Sequence, residues 1–149
     1  MTLLEDAFKA LEYARGEYKE YLKTRDPVKL RNICEKGWLA VALATDYLIT
    51  CAGVEKPHRR IERNELLEEL EERVEEVKKL GMSDRIWARS QRLHSEGFYE
   101  GWISDKSLER ELKRVEDYLN DVKNLAEIVS LKKEELKPAL TEVKKRFER

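Results

Sequence analysis

The stretch GWLAVALATDYLITCAG, Gly37–Gly53, is the most apolar segment of the chain and predicts a central helix. Its apolar residues spread over more than one face, which is typical of a helix that packs against neighbours on several sides. The small residues Gly37, Ala40 and Ala44 would let those neighbours approach closely. The stretch therefore predicts a helix at the middle of an all-α fold.

The ends of this central helix are marked in the sequence. Asp26 is the expected N-cap and Pro27 the first helical residue, because aspartate accepts from free backbone N–H groups and proline has no N–H to leave unpaired. Gly53 is the expected residue after the helix, where a left-handed conformation is common. The helix is predicted to run from Pro27 to about Ala52.

The segments on either side also show helical spacing. Thr2 and Glu5 form a capping-box pattern that predicts the start of a first helix. Residues 54–63 predict a basic loop after the central helix. A strongly acidic helix is expected over about 64–80, with Gly81 as its stop.

The longest regular pattern follows Ser104, which is the expected N-cap of a long helix. Its apolar positions alternate steps of four and three, as in a heptad seam: Leu108, Leu112, Val115, Leu119, Val122, Ala126 and Val129. Such a seam can pack inside a bundle or against a second chain. Pro138 is expected to kink or restart the helix.

No strand-like alternation is found, so the sequence predicts an all-α, up-and-down helical bundle of five to six helices. We expect a single domain over residues 1–149, in which the C-terminal helix, 131–149, is a candidate extension.

The composition limits the classes of function. Charged residues make up 41% of the chain, with 30 basic and 31 acidic side chains, so no whole-chain field favours nucleic acid. Cys34 and Cys51 are expected on one helix roughly 25 Å apart, too far for a disulfide. No metal-ligand spacing and no apolar run of 18 residues is found, so we expect a cytoplasmic protein without metal, cofactor or membrane. The high Glu and Lys content is typical of a thermophile.

The stretch RSQRLHSEGFYEGW, Arg89–Trp102, interrupts the pattern of regular helices. It contains two glycines and three aromatic residues, at the end of a helix expected to begin at Ser83. We expect this helix to run to about His94 or Ser95 and then to break or bend. Phe98, Tyr99 and Trp102 are expected as packing residues under the bend, in preference to a platform on which bases stack. The Tyr99 hydroxyl is a candidate binding group.

Two local basic groups could bind an anion. One is the loop group His58, Arg59, Arg60 and Arg63; the other is the helical group Arg85, Arg89, Arg92 and His94. Together they would form a phosphate-sized pocket, since the guanidinium group suits phosphate oxygens. The alternative is that the helical arginines pair with the acidic helix over 65–76.

The segments EKGWLAVALATDYLITCAG, PHRRIERNELLEEL and RLHSEGFYEGW, with the long helix after them, resemble the PaREP-type archaeal helical proteins. That family is usually placed with the HEPN domains. The resemblance covers roughly residues 31–129. It implies an up-and-down, HEPN-like helical bundle that is commonly dimeric.

Many HEPN domains are metal-independent RNases that place an Arg, four to six residues and then a His at a dimer cleft. The resemblance implies that His94 would act as general acid or base on a ribose 2′-OH and that Arg89 would stabilise the phosphorus centre. Ser90 stands where active relatives more often have Asn, Asp or His. On a regular helix, residues five apart differ by about 140°, so the pair needs a distorted helix or a second subunit.

The sequence therefore leaves two hypotheses. The favoured one is a non-catalytic module that binds nucleic acid or a partner protein, and the alternative is an RNase with Arg89 and His94 as catalytic residues. Candidate residues for binding phosphate or nucleic acid are His58, Arg59, Arg60, Arg85, Arg92 and Tyr99. The expected partners are a second copy in a homodimer, RNA or a nucleotide, or a partner protein.

Overall fold

The computed structural model describes residues 2–148, which form an all-α bundle with no strand in that range. The helices are α1 (Leu3–Thr24), α2 (Pro27–Thr50), α3 (Arg60–Arg73), α4 (Glu75–Lys79), α5 (Met82–Arg89), a π-helix (Ser90–Glu100), α6 (Asp105–Leu131) and α7 (Lys133–Lys145). The predicted fold class is confirmed. None of these helices is long and apolar enough to cross a membrane.

Helix α2 is the centre of the bundle, as its composition predicts. It packs against α1, α3, α5, the π-helix and α6. The Asp26 side chain accepts from the Val28 backbone N–H at 2.9 Å, and Pro27 is the first helical residue. Gly53 follows the helix with a φ of 94°, a conformation that favours glycine.

Helix α6 places its whole heptad seam inside the bundle. Every seam residue from Leu108 to Val129 is buried. At the middle of the helix, the Tyr118 hydroxyl lies 2.6 Å from the Thr45 hydroxyl of α2, and both side chains are buried. Because the seam is filled by the chain's own helices, it gives no argument for a second chain at this face.

The acidic segment is not the single helix expected over 64–80. It begins earlier, at Arg60, where the His58 backbone N–H donates to the Glu62 carboxylate at 2.8 Å and fixes the start of the helix. It is then interrupted at Val74, which is extended (φ −125°, ψ 106°) and fully buried. A β-branched residue tolerates extended backbone well, and the interruption turns its side chain into the core. This break divides the segment into α3 and α4.

Pro138 does not restart the helix, which was one of the two expectations for it. Helix α7 runs through Pro138, and the break between α6 and α7 lies at Lys132 instead (φ −99°, ψ 10°). Pro138 is exposed, so water can satisfy the backbone carbonyl that the missing proline N–H leaves free. With the breaks at Val74 and Lys132, the described residues contain seven α-helices and a π-helix, more than the five or six expected.

Candidate functional site

The stretch Arg89–Trp102 does not break the helix; it widens it into the π-helix. Hydrogen bonds from residue i to i+5 place residues four and five apart almost above one another, so Leu93 and Gly97 both face α2. The Leu93 side chain approaches Gly37, where a Cβ would lie 3.3 Å from Leu93 Cδ1. A Cβ on Gly97 would lie 2.7 Å from Cys34 Cβ, which is too close. The two glycines thus allow the close approach of this unusual helix to α2.

The π-helix ends at Gly101, and a side chain from α2 completes its terminus. Gly101 has a φ of 74°, and its N–H donates to the Glu96 carbonyl. The Arg31 guanidinium donates to the carbonyl oxygens of Phe98 at 2.9 Å and Tyr99 at 3.1 Å. These are carbonyls that a helix end leaves without helical partners. Arg31 therefore holds the end of the π-helix in place.

His94 is held by a carboxylate and surrounded by aromatic rings. Its Nδ1 lies 3.1 Å from the Glu35 carboxylate of α2. The His94 ring stacks on Phe98 at 6.0 Å between centroids, meets Tyr99 edge-on at 5.0 Å and lies 6.0 Å from Trp38. With 24% of its side chain exposed, His94 has a fixed orientation and remains accessible to solvent.

Arg89 is buried in a two-pronged ion pair with α6. Its Nε lies 2.5 Å from Glu111 Oε2, and its Nη2 lies 3.3 Å from Glu111 Oε1. Glu111 is fully buried, and it also accepts from Arg114 at 2.8 Å. Arg89 and His94 are therefore bound to carboxylates on two different helices. This is so although the π-helix is the kind of distorted helix that residues five apart need in order to share a face.

The other helical arginines are also ion-paired, but not with the acidic segment over 65–76. Arg85 pairs with Asp121 of α6 at 2.8 Å and lies over the Tyr118 ring at 5.3 Å. Arg92 pairs with Glu96 of the π-helix at 3.0 Å. The choice of partner depends on how α5 and the π-helix pack against α6.

The loop arginines separate from one another in the fold. Arg63 is paired with Asp46 at 2.7 Å. His58 and Arg59 line a pocket of about 310 Å³ beside Lys144 of α7. Arg60 lines a different pocket, between α3 and α5. The two basic groups of the sequence are thus not brought together around one common cavity.

Two exposed aromatic side chains stand at the end of the π-helix. Tyr99 is 66% exposed and Trp102 is 74% exposed. The expectation that Tyr99 and Trp102 pack beneath a bend is wrong, since both are mostly exposed. The chain turns outward after Gly101, and the Trp102 N–H donates to the Glu96 carbonyl at 3.2 Å. Phe98 is half-buried beside them. We call Tyr99 and Trp102 the aromatic corner.

Unpaired cations follow the aromatic corner in the chain. Lys106 and Arg110 are exposed on the first turns of α6, and no ion pair within residues 2–148 involves them. Sequence reasoning missed them, and also missed Glu35 and Glu111 as the partners of His94 and Arg89. The sequence did contain a sign that Glu111 is buried, because it lies directly beside Leu112 of the apolar seam.

The cysteines are unsuited to covalent chemistry. Burial, together with the charges of Glu35 and Glu111, raises the pKa of the Cys34 thiol to about 12, and burial raises the pKa of Cys51 as well. Both thiols therefore stay protonated and unreactive at neutral pH. Within residues 2–148, no group of three or more His, Cys, Asp or Glu side chains could hold a metal ion.

One comparison with known proteins gives a match. The model of the family described as "Archaeal PaREP1/PaREP8 family" matches residues 5–119. The match begins in α1, includes the whole π-helix and the aromatic corner, and ends in the middle of α6. No curated protein and no solved structure matches the chain.

Proposed function

The chain belongs to the archaeal PaREP1/PaREP8 family, and we propose that it acts as a non-catalytic module that binds single-stranded nucleic acid. The observation that carries this proposal is the aromatic corner, in which Tyr99 and Trp102 expose most of their surface. Large aromatic side chains are usually buried, so two exposed within four residues suggest a binding role.

The neighbouring charges fit this role. Bases of a single strand stack on aromatic rings with little preference for sequence, while nearby cations neutralise the phosphates. Lys106 and Arg110, which follow Trp102 in the chain on the first turns of α6, supply two exposed cations. Because the whole chain has a formal charge of −1, attraction for a polyanion must be local.

The arrangement of Arg89 favours a binding role over a catalytic one. A guanidinium that stabilises a phosphorus centre must reach the phosphate. In this protein the Arg89 guanidinium is bound to Glu111, and the side chain is only 9% exposed. We therefore infer binding without cleavage.

Fluorescence anisotropy with a labelled single-stranded RNA tests the proposal. We expect Trp102→Ala and Tyr99→Ala each to weaken binding by roughly 5- to 100-fold, which is the effect of losing about one stacked base. Tyr13→Ala is the matched control, because Tyr13 is also an exposed aromatic residue but lies on α1. Binding should also fall as salt rises.

Two results would overturn the proposal. One is the absence of RNA binding at low salt. The other is equal binding by the wild type and by a variant that combines Trp102→Ala with Tyr99→Ala.

The alternative, a metal-independent RNase, is favoured by one observation: His94 is accessible, and Glu35 fixes its orientation as a catalytic histidine requires. The same RNA, incubated with the protein in EDTA, separates the two functions. We expect no cleavage above that of the His94→Ala variant. Cleavage by the wild type that the variant lacks would contradict the non-catalytic proposal.

A further inference from the structure

Two accessible arginines, neither of them in the aromatic corner, converge where the π-helix meets α6. Arg92 comes from the π-helix and Arg114 from α6. Arg114 Nη1 lies 2.8 Å and Arg92 Nε lies 3.9 Å from the same atom, Glu111 Oε1. We propose that Arg92 and Arg114 form a binding site for a phosphate group. The proposal does not depend on base stacking at the aromatic corner.

The positive charges at this junction outnumber the carboxylates that they contact. Glu111 is shared by three guanidinium groups, since Arg89 donates to both of its oxygens. Arg92 has one further partner, Glu96, at 3.0 Å. Three arginines thus face two carboxylates. A bound anion would lower the repulsion between these cations.

The preceding turn of α6 adds to this excess of positive charge. Arg110 is exposed, and no ion pair within residues 2–148 involves it. It lies four residues before Arg114, and both side chains line one depression of the protein surface. Like charges four residues apart destabilise a helix. A ligand of opposite charge would offset this cost.

The nearby carboxylates of α6 do not neutralise these arginines. Each of three has another partner: Glu109 the Tyr18 hydroxyl, Glu116 the Arg15 guanidinium and Asp117 the Lys113 ammonium. The acidic groups of this part of α6 are therefore engaged by other side chains. The local charge is positive although the whole chain is nearly neutral.

Both guanidinium groups are accessible to a ligand. The side chain of Arg92 is 39% exposed and that of Arg114 is 53% exposed, whereas Glu111 beneath them is fully buried. A guanidinium has five N–H donors, and the hydrogen bond from Arg114 to Glu111 uses one of them. Donors that face solvent can bind phosphate oxygens in the forked geometry that arginine favours.

A phosphate group could reach this site from two sources. One is the backbone of the single strand that we propose as the ligand of the aromatic corner, and the other is a free phosphate compound. The probe is inorganic pyrophosphate, which has phosphate groups but no base that could stack.

Isothermal titration calorimetry on the full chain, at low and constant ionic strength, tests the proposal. We expect saturable binding of pyrophosphate. Arg92→Gln and Arg114→Gln should each weaken it by about tenfold or more, because charge-assisted hydrogen bonds are lost. Arg73→Gln is the matched control and should bind as the wild type does. The Arg73 side chain is 52% exposed and paired with Glu69, but no second guanidinium among residues 2–148 shares that carboxylate.

The melting temperature separates binding from folding. Arg92→Gln removes a partly exposed pair with Glu96, so its melting temperature should stay close to that of the wild type. Arg114→Lys is the second variant, because it keeps a positive charge beside Glu111 and removes the planar fork. We expect it to fold normally and to bind pyrophosphate more weakly than the wild type.

Competition with a labelled single-stranded RNA identifies the source of the phosphate. If the strand uses the site, pyrophosphate displaces the RNA. Arg114→Gln then lowers the slope of log affinity against log salt by about 0.7, the effect of one phosphate contact. Pyrophosphate that binds without displacing RNA would assign the site to a free phosphate compound. The absence of any RNA binding would overturn the proposed function alone.

Three outcomes would overturn the phosphate site. The first is no saturable binding of pyrophosphate up to millimolar concentration. The second is an equal loss for Arg73→Gln and Arg114→Gln, which would indicate general attraction of the anion to exposed arginines. The third is an unchanged affinity in Arg92→Gln, which would remove the π-helix from the site.

Discussion

Glu111 is the residue on which the arginines at the start of the π-helix depend. Its side chain is fully buried and pairs with Arg89, while Arg114 lies 2.8 Å away and Arg92 3.9 Å away. Two buried charges are tolerated only because each satisfies the other, and removing one leaves the other unpaired in the interior. The pair fixes the position of α5 on α6.

Glu111→Gln keeps the shape of the side chain and removes its charge. We expect the free energy of unfolding to fall by about 3–5 kcal/mol, because Arg89 remains as a buried, unpaired cation. The measurement is chemical denaturation followed by circular dichroism. Glu116→Gln is the control, since the pairs of Glu116 with Arg15 and Lys113 are partly exposed and should contribute less than about 1 kcal/mol. Equal losses in the two variants would contradict this account of Glu111.

At the scale of single residues, the sequence indicated the chemistry of these side chains but not their partners. Arg85, Arg89 and Arg92 were expected to face either an anion or an acidic helix. The structure pairs them with Asp121, Glu111 and Glu96. Acidic residues are abundant on several helices, so spacing within one helix cannot decide which of them an arginine will meet.

At the scale of elements, the π-helix depends on a contact that local sequence does not encode. Its wide turn keeps Leu93 against Gly37 and Gly97 against Cys34. The glycines in Arg89–Trp102 indicated an irregular helix, yet the form it takes is fixed by α2. The predicted bounds of α2 and α6 were close to those observed. The residues that set these bounds, Asp26–Pro27, Gly53 and Ser104, start or end a helix through the local conformation of the backbone and local capping bonds. The breaks at Val74 and Lys132 carry no glycine or proline as a signal.

Gly97→Ala tests the close contact between the π-helix and α2. The new methyl group would overlap the Cys34 side chain, so we expect a loss of about 1–3 kcal/mol in the free energy of unfolding. Gly16→Ala is the control: Gly16 lies in α1, and a Cβ there meets nothing within 4 Å. Alanine is the better helix former, so this control should gain about 0.5–1 kcal/mol. A neutral Gly97→Ala would mean that the two helices are not held this closely.

At the scale of the whole molecule, the homodimer remains a prediction, but the heptad seam of α6 no longer supports it. The heptad seam of α6 is buried within the chain, so another surface must be used. One candidate is a groove of about 680 Å³ between the start of α1 and the end of α6, where the apolar Leu4, Tyr47 and Leu131 lie among charged residues such as Glu5 and Lys123. Leu131 is 88% exposed, more than any other large apolar side chain among residues 2–148.

Light scattering measures the oligomeric state directly. We expect twice the mass of one chain for the wild type, and a shift towards the single-chain mass for Leu131→Glu, because the glutamate places a charge in the apolar contact. Lys123→Glu also changes the charge of a residue that lines the groove, but at a polar position, and should have the smaller effect. A wild type with the mass of one chain at high concentration would refute the homodimer.

The bond from Arg31 to the end of the π-helix also bears on the order of folding. Arg31 reaches the Phe98 carbonyl across 67 positions of the chain. Contacts between residues so far apart form only after a long loop has closed, and closing that loop costs chain entropy. We therefore expect the π-helix to form late in folding, after α1 and α2 have paired. The aromatic corner would reach its final conformation in the same step.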